Sequence, residues 1–194
     1  RRFRATRALW DKSYLDESYI KDRIYLIPRM QQLIAENYPG TKLQIGEWNF
    51  GAEQHVSGAL AVAEAFGRFA EFGVDSAFYW QAPKKDLPAY QGFLAYRNYD
   101  GKGAHFHDEL VKTEGSFGSS IFVSRDPKTK AMVAILLNFE ADKELDATID
   151  WGGCGNAVLK RKFVYAGKGT FTEEKGGNAT NLKLPPYSIT VLEL

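Results

Sequence analysis

The stretch Lys42-Leu43-Gln44-Ile45-Gly46-Glu47-Trp48-Asn49-Phe50-Gly51 reads as a short strand over 42–47 that ends in a carboxylate. Leu43 and Ile45 alternate with Lys42 and Gln44, and the alternation breaks at Gly46-Glu47. Aromatics, an amide and a glycine follow at once. A carboxylate at the C-terminal tip of a strand, just before a loop, is where an α/β barrel keeps its chemistry. Rings beside a carboxylate also suit a sugar, because an aromatic face stacks on the apolar face of a pyranose while the acid acts at the anomeric carbon. The competing reading is plain: an isolated Glu at a strand end is more often solvated or salt-bridged than a nucleophile.

Either side of this stretch the pattern is helix, strand, helix, strand, helix, the α/β order. Residues 1–20 read as irregular, with Trp10 in a loop. Ile20, Ile24, Ile27 and Ile34 repeat at helical spacing, and Pro28 starts a new helical segment or kinks the run. Asn37-Tyr38-Pro39-Gly40 is the stop. Beyond Gln54, Ser57 is the expected cap of a helix whose one apolar face holds Val62, Phe66, Phe69 and Ala70, ending at Gly73. Ser76-Ala77-Phe78-Tyr79-Trp80 carries no charge, as a parallel strand buried on both sides should. A short helix is expected around Tyr90–Tyr96.

From about Asp108 the grammar changes. Ser119–Ser124, Ala131–Asn138, Leu145–Asp150, Leu159–Tyr165 and Ser188–Leu194 are strand-like. Asp126-Pro127-Lys128-Thr129, Gly152-Gly153-Cys154-Gly155 and Gly176-Gly177-Asn178 between them are turn chemistry. The expected fold class is therefore α/β plus all-β: the C-terminal part of a TIM-like (β/α)8 barrel over residues 1–107, its last two strands with their helices, then a β-sandwich domain over 108–194. A complete barrel takes about 250 residues, more than the 194 present. Arg1-Arg2-Phe3-Arg4 offers no initiator Met and no apolar leader, so the first residues read as a point inside a larger fold.

Composition narrows the classes. A hydrophobic share of 44% and a charged share of 25% are those of a globular chain, against disorder. A net charge of +1 leaves no electrostatic footprint for nucleic acid or an anionic membrane. No apolar run approaches a membrane span. The single cysteine, Cys154, excludes an intrachain disulfide and a cysteine-rich zinc site. His105 and His107, followed by Asp108 and Glu109, have the spacing of a metal pair but read better as a solvated linker. Neither a metal nor a cofactor is expected.

Thr6-Arg7-Ala8-Leu9-Trp10-Asp11, Ile27-Pro28-Arg29-Met30, Tyr38-Pro39-Gly40-Thr41-Lys42-Leu43, Gly46-Glu47-Trp48-Asn49-Phe50-Gly51, Gly58-Ala59-Leu60-Ala61 and Tyr96-Arg97-Asn98-Tyr99-Asp100-Gly101-Lys102-Gly103 occur in this order. The ordered set resembles glycoside hydrolase family 44, a family of endoglucanases and xyloglucanases. The resemblance runs from about Phe3 to the end and is strongest up to Gly103. It implies that Glu47 matches the nucleophile of a Thr-Glu-Tyr-Asn-Trp-Gly-like motif at the end of barrel strand seven. This chain departs from that motif, with Gly46 for Thr, Trp48 for Tyr and Phe50 for Trp. It further implies a retaining endo-β-1,4-glucanase acting on a β-glucan polysaccharide, and a secreted protein. The family's acid/base lies in an Asn-Glu pair on strand four, well upstream, and this chain contains no Asn-Glu dipeptide. The missing partner is then the N-terminal remainder of the barrel, in the same protein or as a separate fragment.

Retention needs two carboxyl groups about 5–5.5 Å apart. Glu47 is the candidate nucleophile. Glu53 lies in the following loop with nothing to mark it as a protonated acid. Asp75 precedes its strand and so sits at the wrong end, and Asp86 is in a Lys-rich loop. The candidate substrate-binding residues are Trp10, Trp48, Asn49, Phe50 and Trp80. Of Trp48 and Phe50, one is expected to turn into the core. Asn49 either donates to a sugar hydroxyl or ties its loop to itself. Arg7 either faces the cleft with Trp10 or anchors Asp11, and His55 suits helix capping or packing. The alternative function is a non-catalytic carbohydrate-binding or scaffold fragment that pairs with another chain.

Overall fold

Residues 2–115, 118–152 and 157–194 are described in the computed structural model of the chain, which leaves Gly153, Cys154 and Gly155 of the expected turn outside the described residues. The first strand, β1 (Gln44–Trp48), pairs in parallel with β2 (Ser76–Tyr79). Helix α3 (Val56–Glu71) connects them, and α4 (Pro88–Arg97) follows β2. Ahead of β1 lie α1 (Arg2–Ala5), a 3-10 turn (Thr6–Leu9) and α2 (Leu26–Asn37). Residues 2–9 are thus helical, where an irregular stretch was expected. Pro28 falls in the first turn of α2, where a missing N–H costs nothing.

His55, rather than Ser57, caps α3. Its backbone is extended and its Nδ1 accepts the Ser57 N–H at 3.1 Å. Gly73, in the left-handed region at φ +63°, ends the helix as expected. The single apolar face expected for α3 is too narrow a description. Ser57 to Ala65 are buried without interruption, while Ala70 is exposed. A helix buried all round has neighbours on every side, and α3 does. Val62, Ala65 and Phe69 pack toward Trp48 and Ile45. Ala59, Leu60 and Ala63 pack toward Phe122, Ile135, Ile189 and Val191. Gly92 of α4 comes so close that a Cβ there would lie 2.7 Å from the Ala59 carbonyl oxygen and from Val62. Alanines and glycines along α3 and α4 permit these approaches.

The second half is antiparallel. A six-stranded sheet runs in the order β3 (Glu109–Val111), β4 (Ser119–Arg125), β5 (Met132–Asn138), β10 (Ser188–Glu193), β7 (Arg161–Tyr165) and β8 (Thr172–Glu174). A two-stranded sheet pairs β6 (Leu145–Thr148) with β9 (Asn181–Leu184). One face of the large sheet takes α3 and α4. The other packs on the small sheet through Val123, Ala134, Leu136, Leu182, Leu184 and Leu192. Strands β3, β8 and β9 escaped the sequence reading. They are three or four residues long, and Thr172-Glu173-Glu174 is exposed throughout, so no apolar alternation marks it.

The turn joining the halves is the motif from Tyr96 to Gly103. Asp100 accepts the N–H groups of Lys102 and Ala104 at 2.8 and 3.0 Å and meets Arg161 of β7 at 3.2 Å. Gly101 and Gly103 take φ of +71° and +97°, conformations a side chain would strain. The hydrophobic cluster under α3 and α4 runs across residue 107 into the large sheet.

Candidate active site

The strand β1 does not keep its register against β2. Ile45 pairs with Ala77 and Trp48 with Tyr79, so Gly46 and Glu47 stand against Phe78 alone. This is a bulge of two residues against one. Successive side chains on a strand alternate between faces, so an unbroken strand would turn Ile45 and Glu47 to the same side. The bulge reverses this: Ile45 and Trp48 share the face packed on α3, and Glu47 is exposed on the opposite side. The break in alternation at Gly46-Glu47 is the sequence trace of this bulge.

Trp48 is 8% exposed, and its ring meets Phe66, Phe69 and Tyr79 edge-on at 4.9–5.5 Å. It is a core residue and offers no surface to a ligand. Trp80, at the tip of β2, is 56% exposed. Its N–H donates to the Trp48 carbonyl at 2.9 Å, which fixes the two strand tips together. Trp80 and Glu47 therefore share the C-terminal rim of the parallel pair. Phe78, 54% exposed, lies opposite the bulge; the sequence reading passed over it because its strand was expected to be buried on both faces. Phe50 is half-buried, edge-on to Trp48 at 6.3 Å, and lines a crevice with Arg2, Phe3, His55, Ser57 and Tyr187.

The loop after Glu47 is held by Asn49. Its amide nitrogen donates to Glu53 at 3.1 Å and to the Trp80 carbonyl, and its oxygen accepts from the Gly51 N–H. Both amide hydrogens are engaged, so Asn49 ties the loop rather than offering a donor to a sugar. Tyr79 also donates to Glu53, at 3.2 Å. Burial, with the Glu53 carboxylate beside it, holds the Tyr79 phenol well above its ordinary range. Glu53 is thus occupied in bracing β1 to β2. Asp75 pairs with Lys42 at 2.7 Å at the other end of the strands.

Trp10 is not at this rim. Arg2 donates to Ser57 Oγ at the start of α3, and the helical run of residues 2–9 then travels along α3. Trp10 arrives over Arg68, whose guanidinium lies 3.9 Å from its ring centre. Ser57 and Arg68 are about 16 Å apart along the helix axis. Arg68 also pairs with Glu64 at 2.8 Å and Glu71 at 2.6 Å. Glu64 is 2% exposed, and burial pushes its carboxyl up against the pull of that guanidinium. Trp10 belongs to this buried cluster. Arg7 anchors Asp11, at 2.7 and 2.9 Å.

No protein-family model matches the sequence. Individual proteins do. Endoglucanase A of Paenibacillus lautus is 32% identical over 200 residues, 96% of this chain and 29% of that protein. The family 44 endoglucanase from Clostridium thermocellum has a crystal structure that matches with a TM-score of 0.92 at 28% identity, over 99% of this chain and 40% of that one. The chain belongs to glycoside hydrolase family 44. A second member of the family, a Paenibacillus polymyxa xyloglucanase solved with xyloglucan, matches with a TM-score of 0.89 at 26% identity over the same shares. This family 44 chain spans well under half the length of each of these relatives. Among its described residues, no helix is long and apolar enough to cross a membrane.

Proposed function

We propose that this chain carries the nucleophile half of a retaining endo-β-1,4-glucanase site, with Glu47 as the nucleophile. In this reading β1 and β2 are the last two strands of a (β/α)8 barrel over residues 1–107, and residues 108–194 are a β-sandwich that braces it. The observation that carries the reading is the bulge that turns Glu47 out of the core at the C-terminal rim of the parallel pair, the rim that also carries the exposed ring of Trp80. Glu47 attacks the anomeric carbon as a carboxylate and forms a covalent glycosyl intermediate. An acid from the N-terminal remainder of the barrel, about 5–5.5 Å away, protonates the departing oxygen and then activates the water that releases the sugar. Trp80 supplies a stacking face for a glucose unit. Phe50 borders the site, while Trp48, Asn49 and Glu53 hold the strand tip in place. The substrate is a β-glucan of the cellulose or xyloglucan type, and the enzyme is secreted, since its substrate is a polymer outside the cell. No cofactor is required by this chemistry.

Glu47→Gln in the intact polypeptide that carries this sequence should abolish β-glucan hydrolysis while polysaccharide binding and the thermal midpoint stay near the parent's. Azide should then restore cleavage of an activated aryl β-glycoside, with inverted configuration in the product. Near-parental hydrolysis by the variant would remove Glu47 from this role. The engagement of Glu53 by Asn49 and Tyr79 favours a second reading for this chain taken alone: a carbohydrate-binding or scaffold fragment. Binding of xyloglucan without cleavage, by the intact polypeptide as well, would support that one.

A further inference from the structure

One carboxylate holds the loop that follows β1. Glu53 Oε1 accepts from the Asn49 amide at 3.1 Å and from the Tyr79 phenol at 3.2 Å. Its backbone carbonyl accepts the Ala89 N–H, in the first turn of α4, at 3.0 Å. Glu53 thus ties together the tip of β1, the tip of β2 and the helix beyond. We propose that Glu53 is a positioning residue for the glycosidase reaction: through Asn49 and Tyr79 it fixes Glu47 against a sugar held on Trp80, an inference that rests on the reading of Glu47 as the nucleophile.

Glu47 and Asn49 are both exposed, with the buried Trp48 between them, so their side chains leave the strand tip on the same side. The Asn49 amide divides its hydrogens between Glu53 and the Trp80 carbonyl. The stacking ring and the nucleophile are therefore linked through one side chain, and Glu53 holds that side chain in place. The loop itself is under constraint. Ala52 sits in the left-handed region at φ +49°, a conformation that a Cβ disfavours. Its carbonyl lies so close to α3 that a Cβ at Gly58 would be 2.3 Å from the oxygen. The bonds to Glu53 oppose relaxation of this strained turn.

A purely structural role explains less. The bond from Asn49 is exposed, and water competes for both of its partners, so it adds little to global stability. The packing of Trp48 against Phe66, Phe69 and Tyr79 already secures the strand. Attack at the anomeric carbon is more demanding. It needs the reacting atoms about 3–3.5 Å apart, and a misplacement of about 1 Å costs about a hundredfold in rate. Bonds that hold the strand tip matter at that scale. Asn49 and Tyr79 both donate to Glu53, which therefore serves here as an acceptor and an anchor.

The test is steady-state kinetics of the intact polypeptide on xyloglucan and on an aryl β-cellobioside with a good leaving group. Glu53→Ala should lower kcat about tenfold or more on both, with KM and the thermal midpoint near the parent's. Glu53→Gln, which keeps an acceptor oxygen for both donors, should restore most of the lost rate. Should Glu53→Ala fail to fold, Tyr79→Phe, which deletes one hydroxyl, should lower kcat about threefold in the same pattern. Full kcat in these variants would overturn the proposal. So would a raised KM at parental kcat, which means that Glu53 touches the sugar, or a loss of kcat that only follows a loss of thermal midpoint. A Glu53→Gln variant as slow as Glu53→Ala would overturn it too, since the charge and not the anchoring would then count. Azide that restores aryl glycoside cleavage by Glu53→Ala, with retained configuration, would instead make Glu53 the acid/base. A parent trapped by a fluorosugar on Glu47, with a fully active Glu53→Ala variant, would remove this inference and leave the proposed function standing. A parent trapped on a different carboxylate would remove both.

Discussion

Trp48 and Trp80 are joined by one backbone hydrogen bond and face opposite ways, and that contrast can be measured. Trp48→Ala empties a core site edged by Phe66, Phe69 and Tyr79, and should cost about 3–5 kcal/mol of stability, read by urea denaturation. Trp80→Ala removes a ring already more than half in water. It should leave the denaturation midpoint almost unchanged and weaken xyloglucan binding by the intact polypeptide about tenfold, about 1.4 kcal/mol. A Trp80 variant that unfolds without losing affinity would contradict the assignment. At this scale the sequence was legible where chemistry is local: the glutamate at a strand tip, and one aromatic of the Trp48-Phe50 pair turned inward. It marked the bulge as a break in alternation at Gly46-Glu47 but did not give the direction of the side chains beyond it, because alternation counts residues and a bulge inserts one. Trp10 was misplaced for a similar reason: residues 2–9 turned out helical, and a helix carries its end far along its neighbour.

Helix α3 is the element on which the rest is assembled, since it packs against the parallel pair, α4 and the large sheet at once. A Cβ at Gly67 would sit 2.4 Å from the Phe122 ring of β4. Gly67→Ala should therefore destabilise the protein by about 1–3 kcal/mol, although alanine is the better helix former, because the ring has to move. A stabilised variant would show that α3 does not approach the sheet this closely. The Asp100 turn that follows α4 carries a pH signature. Burial raises the Asp100 carboxyl, but the Ala104 and Lys102 N–H groups and the Arg161 guanidinium outweigh it and hold it below the ordinary range. A carboxyl lowered on folding contributes stability above its unfolded pKa, about 3.9, that is lost as pH falls through the folded value. Asp100→Asn should thus be less stable than the parent by about 1–3 kcal/mol at pH 7, with the gap closing below about pH 4. A gap that persists unchanged in acid would contradict the ionised turn. The motif around Asp100 could be recognised in the sequence, but its partner Arg161 lies 61 residues on and nothing local announces it.

For the molecule as a whole, the order of elements was the most readable feature, because α3, β5 and β10 are long and strongly patterned. The short strands β3 and β8 were not, since three residues at an edge carry too little apolar signal, and β9, whose Leu182 and Leu184 do alternate with Asn181 and Lys183, is only four residues long and runs straight into Pro185-Pro186. The packing of α3 against two sheets was equally hidden: small residues along a helix show that something comes close, not what. In the proposed mechanism Glu47 forms the covalent bond to the sugar. A 2-deoxy-2-fluoro-β-cellobioside with a good leaving group should trap that intermediate in the intact polypeptide. Peptide mass spectrometry should find one fluorosugar adduct, on the peptide containing Glu47, and none in the Glu47→Gln variant. An adduct on a different carboxylate, or no adduct from an enzyme whose product has inverted configuration, would contradict the account.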